Sequence, residues 1–335
     1  MNRIGKQTVV LNTLPRIIET ASVVGQKENE GNLKGYFDYV IDDGRFGEKS
    51  WEKAESKMQK KAVEILLKKA KKGKEEIDFI AGGDLLNQCT GTSFGLANFN
   101  IPFLGLYGAC STMAESLCIA AMTVDGKYSE NTVAVTSSHF CSSERQFRFP
   151  LEYGGQRTPT SQWTVTGSGA ALVSAKGTDI AITHITPGKI VDMGIKDANN
   201  MGAAMAPAAI DTIHAHFQDR KIDENYYDLV VTGDLGKLGH AITKEQLLKM
   251  GLVFKDKYID CGVKIFNLEN QDVHAGGSGC GCCASVFAGY IYKLLKNGNI
   301  NKILLVATGA LMSTTSSFQG ESIPGIAHAV AIERV

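Results

Sequence analysis

A cysteine set among small residues is the feature of this chain best suited to chemistry. In Gly105-Leu106-Tyr107-Gly108-Ala109-Cys110-Ser111-Thr112 the small side chains tighten a turn, and a helical pattern follows from Ser111 to Met122. Cys110 would then stand at a helix N-terminus, where unpaired N–H groups and the macrodipole stabilise a thiolate, which makes it a candidate nucleophile. The competing reading is a buried, inert thiol, because free cysteine is among the most buried residue types. Four more titratable side chains, Asp84, His139, Asp234 and His274, fall at predicted strand ends or central loops. Strand ends of α/β sheets are where ligands bind. Each residue also has an ordinary duty open to it, an aspartate accepting backbone N–H bonds at a turn or a histidine capping a strand end.

Two other patterns are weaker. Cys280-x-Cys282-Cys283 lacks the two-residue gap and the distant second pair of a zinc site, so no metal centre is expected. The glycines at 276, 277, 279 and 281 could present N–H groups to a carboxylate, but no Gly-Lys-Ser and no Gly-x-Gly-x-x-Gly after a strand supports a nucleotide.

The elements that must position these residues are written twice. Ile77-Asp78-Phe79-Ile80-Ala81-Gly82-Gly83-Asp84-Leu85 returns as Tyr227-Asp228-Leu229-Val230-Val231-Thr232-Gly233-Asp234-Leu235 at an offset of 150, each copy after a helical stretch, Glu52 to Lys72 and Ala203 to Gln218. Val133-Ala134-Val135-Thr136-Ser137 returns as Leu305-Val306-Ala307-Thr308-Gly309 at an offset of 172, which also lays Cys110 on Cys282. Two such copies predict two sheets with helices on both faces, a five-layered α/β/α/β/α sandwich of duplicated halves, 1–175 and 176–335, with about 22 extra residues in the second. The equivalent turns converge in that packing, which places the site at the junction.

Composition sets the outer limits. Thirty-five basic and thirty-five acidic residues leave no net charge, against the basic excess that gripping nucleic acid requires. The start of the chain carries no apolar signal core, and the best apolar window, Ile303 to Met312, is broken by Thr308 and Gly309. Eight cysteines in 335 residues do not form the spaced framework of a small secreted domain, so an intracellular, reducing setting is expected. The lysines of the Glu52 to Lys72 helix read as a solvated face; lipid docking is the rival, diluted by Glu52, Glu55 and Glu64.

Several stretches carry a family resemblance. The duplicated halves, the Gly-Ala-Cys-Ser-Thr turn and Thr166-Gly167-Ser168-Gly169-Ala170-Ala171 resemble the thiolase superfamily. Gly83-Asp84-Leu85-Leu86-Asn87-Gln88, Ser137-Ser138-His139, Glu144-Arg145-Gln146-Phe147-Arg148, Gln162-Trp163-Thr164-Val165-Thr166-Gly167, Asp192-Met193-Gly194-Ile195-Lys196-Asp197, Asp272-Val273-His274-Ala275-Gly276-Gly277-Ser278-Gly279-Cys280-Gly281-Cys282 and Gln319-Gly320-Glu321-Ser322-Ile323-Pro324 are similar to the stage V sporulation protein AD family of spore-forming bacteria. The resemblance implies a thiolase-like fold and a homodimer of the developing spore. It implies binding of dipicolinic acid (pyridine-2,6-dicarboxylate) or its calcium chelate, a place at the forespore membrane, and membrane-embedded partners from the same transport complex. No resident cofactor is implied, though calcium can accompany the ligand.

Departures from the superfamily's enzymes bear on mechanism. Where initiating ketoacyl synthases carry a His-Gln-Ala-Asn turn this chain has Thr232-Gly233-Asp234-Leu235, and where their second partner is an Asn it has Gly277-Ser278-Gly279. No second cysteine follows the last central strand, in Gly309-Ala310-Leu311-Met312-Ser313. Ligand contacts are therefore expected from Asp84, Cys110, His139, Asp234, His274 and Ser278, with Arg145 and Arg148 of the long 144–162 connection pairing with a dicarboxylate or else bracing a dimer. The alternatives are an acyltransferase forming an acyl-Cys110 intermediate from a coenzyme A thioester, with His139 or His274 as base, and a structural adaptor with a vestigial pocket.

Overall fold

The apolar runs predicted from the sequence form two five-stranded sheets with the same strand order. In the computed structural model, which describes residues 2–147 and 157–335, the first sheet runs Arg16–Val24, Gly167–Ser174, Asn131–Ser138, Phe79–Gly83, Phe103–Gly105. The second runs Ile180–Thr186, Gly325–Arg334, Lys302–Ala310, Leu229–Thr232, Tyr258–Asp260. In each the second strand is antiparallel to both neighbours and the remaining pairs are parallel. The sheets join edge to edge through Ala181 opposite Arg16.

Helices Trp51–Ala70 and Thr90–Leu96 cover the outside of the first sheet, and Met201–Arg220 and Gly236–Lys249 that of the second. Thr112–Asp125 and Cys280–Val286 pack between the sheets and touch both. These two are rich in Ala, Cys, Ser and Gly, with Ala114, Ala120, Cys282, Cys283 and Ala284 fully buried, as a helix sandwiched on two faces requires. The five layers are thus present.

The Trp51–Ala70 helix shows why a local sequence takes its form. Ser50 caps its first turn by accepting from the Lys53 N–H at 3.4 Å, Ala54, Met58, Ala62 and Leu66 make the buried stripe, and Lys71 closes it at a φ of 54°. Its lysines are engaged locally, Lys57 with Glu48, Lys60 with Glu64, and Lys69 with Glu19 and Asp38.

Two departures from the duplicate plan matter. The extra residues of the second half fall between strand Tyr258–Asp260 and helix Cys280–Val286, as a short helix Cys261–Ile265 and the loop that carries His274 and Ser278. The strand Thr8–Val10 belongs in space to the second sheet, with Val10 opposite His184 and Val9 opposite Ile185.

Candidate functional site

Cys110 is delivered by strand Phe103–Gly105 through a tight turn. Ala109 is left-handed at a φ of 50°, a strained conformation for a residue with a Cβ, and Ala109–Ser111 form one 3₁₀ turn before the helix begins at Thr112. Hydroxyls hold the turn in place. Ser111 Oγ donates to the Gly108 carbonyl at 2.7 Å, and Thr112 Oγ1 donates to Ala109 O at 2.6 Å while accepting from the Gly108 N–H at 3.1 Å. The turn lies so close to the second sheet that a Cβ on Gly309 would come within 2.3 Å of the Gly108 carbonyl.

Asp234 and Ser278 meet Cys110 from the second half. Asp234 is fully buried; it accepts from the Gly279 N–H at 2.9 Å, Ser278 Oγ at 3.1 Å and Thr308 Oγ1 at 2.7 Å. Cys110 Sγ is 4.0 Å from Ser278 Oγ. Ser278 is placed by a two-stranded parallel ribbon, Gly277 opposite Trp163 and Ser278 opposite Thr164. Phe140 stacks on Trp163 at 3.7 Å between centroids, and Lys27 and Arg157 lie over the Trp163 ring at 4.2 and 4.7 Å.

Of the two readings of Cys110, the electrostatics favour the buried, protonated thiol. Burial and then the adjacent Asp234 carboxylate push the Cys110 thiol well above its ordinary range. A helix N-terminus contributes roughly 0.3–1 kcal/mol, under one pKa unit, so it cannot offset desolvation beside a carboxylate. Burial also pushes Asp234 up to about 6, held back by its Thr308, Gly279 and Ser278 donors and the thiol. Asp260, fully buried and raised to about 7, pins the turn from behind by accepting from the Leu235 and Gly236 N–H groups at 2.9 and 3.0 Å.

Cys110 and Ser278 lie on the wall of a cavity of about 70 Å3. Leu85, Tyr107, Phe147, Met201, Met205 and Met312 supply its apolar surface; Cys110, Ser143, Glu144, Gln162, Asn199 and Ser278 supply its polar atoms. Among the described lining residues there is no Lys, Arg or His. Among the described residues no group of three or more His, Cys, Asp or Glu could hold a metal ion.

The structure brings Cys110, Asp234 and Ser278 together and sends the other expected contacts elsewhere. Asp84 is spent on its own turn, accepting from the Leu86 N–H at 2.8 Å and from the Thr92 N–H and Oγ1 at 2.7 and 2.6 Å. The His139 Nε2 bonds to the Gly44 carbonyl at 2.6 Å and its Nδ1 accepts from the Cys141 N–H at 3.1 Å; burial lowers its pKa, so it is a neutral structural imidazole. His274 pairs with Asp272 at 3.0 Å outside the cavity. Arg145 pairs with Glu52 and lies over Trp51. Arg148 lies outside the described residues.

Sequence reasoning missed Ser143 and Gln162. Gln162 Nε2 donates to the carbonyls of Asp234 and Gly277, both at 2.7 Å, which ties the ribbon to the Asp234 turn. The one available signal was its place at the head of the Gln162 to Gly167 stretch.

Comparisons with known proteins agree with this geometry. Among solved structures the chain is similar to 3-oxoacyl-[acyl-carrier-protein] synthase III from Aquifex aeolicus VF5, at 13% identity over 95% of this chain and 99% of that one with a TM-score of 0.58. It is similar to Xanthomonas campestris OleA at 13% identity, covering 99% and 100% of the two chains with a TM-score of 0.57. At those identities the likeness establishes the thiolase-like fold alone. The family model for stage V sporulation protein AD matches residues 5–333. The stage V sporulation protein AD of Bacillus subtilis (strain 168) is 44% identical over 334 residues, 100% of this chain and 98% of that protein. A whole-length family match and that identity, on a thiolase-like fold whose cysteine faces an aspartate and a serine, place this chain in the stage V sporulation protein AD family.

Proposed function

We propose that this sporulation protein binds rather than transforms its ligand, taking dipicolinic acid or its calcium chelate into the cavity beside Cys110 and serving its uptake into the developing spore. The observation that carries this reading is the setting of Cys110. Its thiol is 8% exposed, kept protonated by burial and by Asp234. His139 and His274, the histidines that could have served as base, are engaged elsewhere. A cysteine nucleophile is activated by a neighbouring imidazole or a lowered pKa; this thiol has a raised pKa, and no histidine is among the described lining residues. The cavity lining, apolar with a few convergent polar atoms, is that of a small-molecule site, and at about 70 Å3 it has to widen to admit a pyridine dicarboxylate.

The same proposal includes a homodimer peripheral to the forespore membrane, docked on membrane-embedded proteins of the same transport complex. The exposed edge strand Phe103–Gly105, followed by exposed Tyr107, supports the dimer, since an open apolar edge pairs readily with a second copy. No helix among the described residues is long and apolar enough to cross a membrane.

Two measurements test the reading. Calorimetry should show saturable dipicolinate binding that is weakened in Cys110→Ala. Incubation with assorted acyl-coenzyme A thioesters should leave the intact mass unchanged. A stoichiometric acyl adduct lost in Cys110→Ala would assign acyl transfer instead.

A further inference from the structure

The chain as a whole is neutral, but its charge is not evenly spread. Between Trp51 and Lys72 stand eight lysines and three glutamates, so the remainder of the chain carries an excess of five acidic residues. Along the sequence, Glu52, Glu55 and Glu64 dilute the lysines. Folding removes most of that dilution. Glu55 is fully buried, accepting from Ser137 Oγ at 3.1 Å and Ser142 Oγ at 2.7 Å, and desolvation raises it to about 8, which keeps it uncharged at neutral pH. Glu52 is paired with Arg145 of helix Phe140–Phe147. Two lysines are withdrawn as well, Lys69 to Glu19 and Asp38 and Lys72 to Glu76.

What remains is a basic ridge. At 3.6 residues per turn, positions 53, 57, 60, 61, 64 and 68 share an arc of about 100°, and Lys71 closes the helix above Lys53, about 27 Å along its axis. All of these are lysines except Glu64, which lies 3.8 Å from Lys60. Lys57 and Lys60 keep 42% of their side-chain surface open despite pairing with Glu48 and Glu64, and exposed pairs of this kind hold weakly. Lys53, Lys68 and Lys71 are exposed and form no ion pair among the described residues. One large apolar side chain stands beside the ridge. Phe94, on helix Thr90–Leu96, is 73% exposed and lines a single groove with Lys53, Lys57 and Lys60.

The make-up of this face says what it fits. Protein–protein interfaces are depleted in lysine and enriched in arginine and aromatic residues, so a lysine ridge is a poor protein interface. Nucleic acid favours arginine forks and a basic excess over the whole chain, and neither is present here. A row of flexible ammonium groups with an aromatic ring beside it is how a helix lies on an anionic bilayer, lysines among the headgroups and the ring at their inner boundary. We infer that the Lys53 to Lys71 face of helix Trp51–Ala70, together with Phe94, is a docking surface for an anionic phospholipid bilayer. It turns the outer helical layer of the first half toward the membrane. The inference goes beyond the attachment to membrane-embedded proteins proposed above and is separable from it, since such proteins can hold a chain that has no affinity of its own for lipid.

Sedimentation with vesicles tests this. The parent should pellet with vesicles of equal parts phosphatidylglycerol and phosphatidylcholine, stay in solution with phosphatidylcholine alone, and be released from the anionic vesicles by high salt. Lys53→Glu, Lys60→Glu and Lys68→Glu combined should weaken binding by about thirtyfold or more, and the same three positions changed to Gln by about fivefold or more. Phe94→Ser should cost about threefold to tenfold. Lys176→Glu, Lys237→Glu and Lys244→Glu combined, the same charge change on exposed lysines elsewhere, should cost about threefold at most. Melting curves establish that each variant is folded, and the Gln set keeps the test decisive if the Glu set is not. A parent that does not pellet with anionic vesicles, or that pellets equally with phosphatidylcholine alone, overturns the inference. So does parent-like pelleting of the folded Lys53, Lys60 and Lys68 variants. Retention of the parent by duplex DNA or polyglutamate without vesicle binding assigns the ridge to an acidic polymer and overturns it too. Each of these results leaves attachment through membrane-embedded proteins standing.

Discussion

Asp84 and Asp234 occupy equivalent places in the two halves, each following the fourth strand of its sheet, yet they do different work. Asp84 spends both oxygens on its own half, on Leu86 and Thr92, and faces Glu55, a buried carboxyl raised first by desolvation and then by Asp84. Asp234 reaches out of its turn to Ser278, Gly279 and Thr308, and its neighbour is the Cys110 thiol contributed by the other half. The strand and the aspartate recur in both halves. The longer loop after Asp260 gives the second aspartate donors, Ser278 Oγ and the Gly279 N–H, that the first lacks.

The sharpest way to break that contrast is to remove each carboxylate. Asp84→Ala should cost roughly 1–3 kcal/mol of unfolding free energy, measured by urea denaturation, and leave ligand affinity of the folded protein unchanged. Asp234→Ala should cost a similar amount and also weaken dipicolinate binding by tenfold or more in calorimetry. Equal losses of affinity in the two variants would erase the distinction between the copy that serves its own turn and the copy that holds Ser278 and Cys110 at the cavity.

Acidity separates the same two regions by pH. Glu55 is raised to about 8 from an ordinary value of 4.5, so the folded state favours its protonated form. Its contribution is complete below the unfolded value and is lost as pH rises through the folded one. Asp234, raised from 3.8 to about 6, loses its contribution in a lower window. Glu55→Gln should therefore flatten the fall in stability between pH 5 and 8 by on the order of 1–2 kcal/mol. Asp234→Asn should flatten only the part between pH 4 and 6. Denaturation midpoints across that range check both.

A second contrast lies at the outer edges of the sheets. Strand Phe103–Gly105 is exposed throughout, whereas its counterpart Tyr258–Asp260 is covered, Tyr258 being stacked on His240 at 4.4 Å. Leu104→Lys should shift light scattering from dimer toward monomer with a small change in stability, within roughly 0.5 kcal/mol for an exposed site. A parent chain that is monomeric at micromolar concentration removes the edge as an interface.

His139 is expected to affect stability alone. His139→Ala should lower stability by about 1 kcal/mol through its two lost hydrogen bonds and leave ligand affinity unchanged, as calorimetry and melting curves would show.

The duplication, the layers and the strand ends were legible because each rests on period and spacing, which the chain displays openly. Direction was not. A strand-end rule places His139 and Asp84 near the junction, but only packing decides that His139 turns to Gly44 while Asp84 serves Thr92. The sequence left the Cys110 thiol open between an activated and an inert reading for a related reason: the helix terminus is a local signal, whereas the Asp234 carboxylate arrives from a residue more than a hundred positions away. Gln162 left almost no trace, since a lone amide in a connecting segment has no pattern to betray it.

The crossing of the N-terminal strand onto the second sheet has a consequence for biosynthesis. Asp219 accepts from the N–H groups of Lys6, Gln7 and Thr8 at 2.8, 2.8 and 2.9 Å, and Lys6 and Asp219 are 213 residues apart. At ~5–20 residues per second, a ribosome needs on the order of ten seconds or more to synthesise that span. Until strand Ile180–Thr186 has emerged, Thr8–Val10 has only Arg3–Ile4 to pair with, and until Asp219 follows, the N–H groups of residues 6–8 lack their acceptor, so the first half must wait for the second before its opening residues are sheltered from chaperones and proteases.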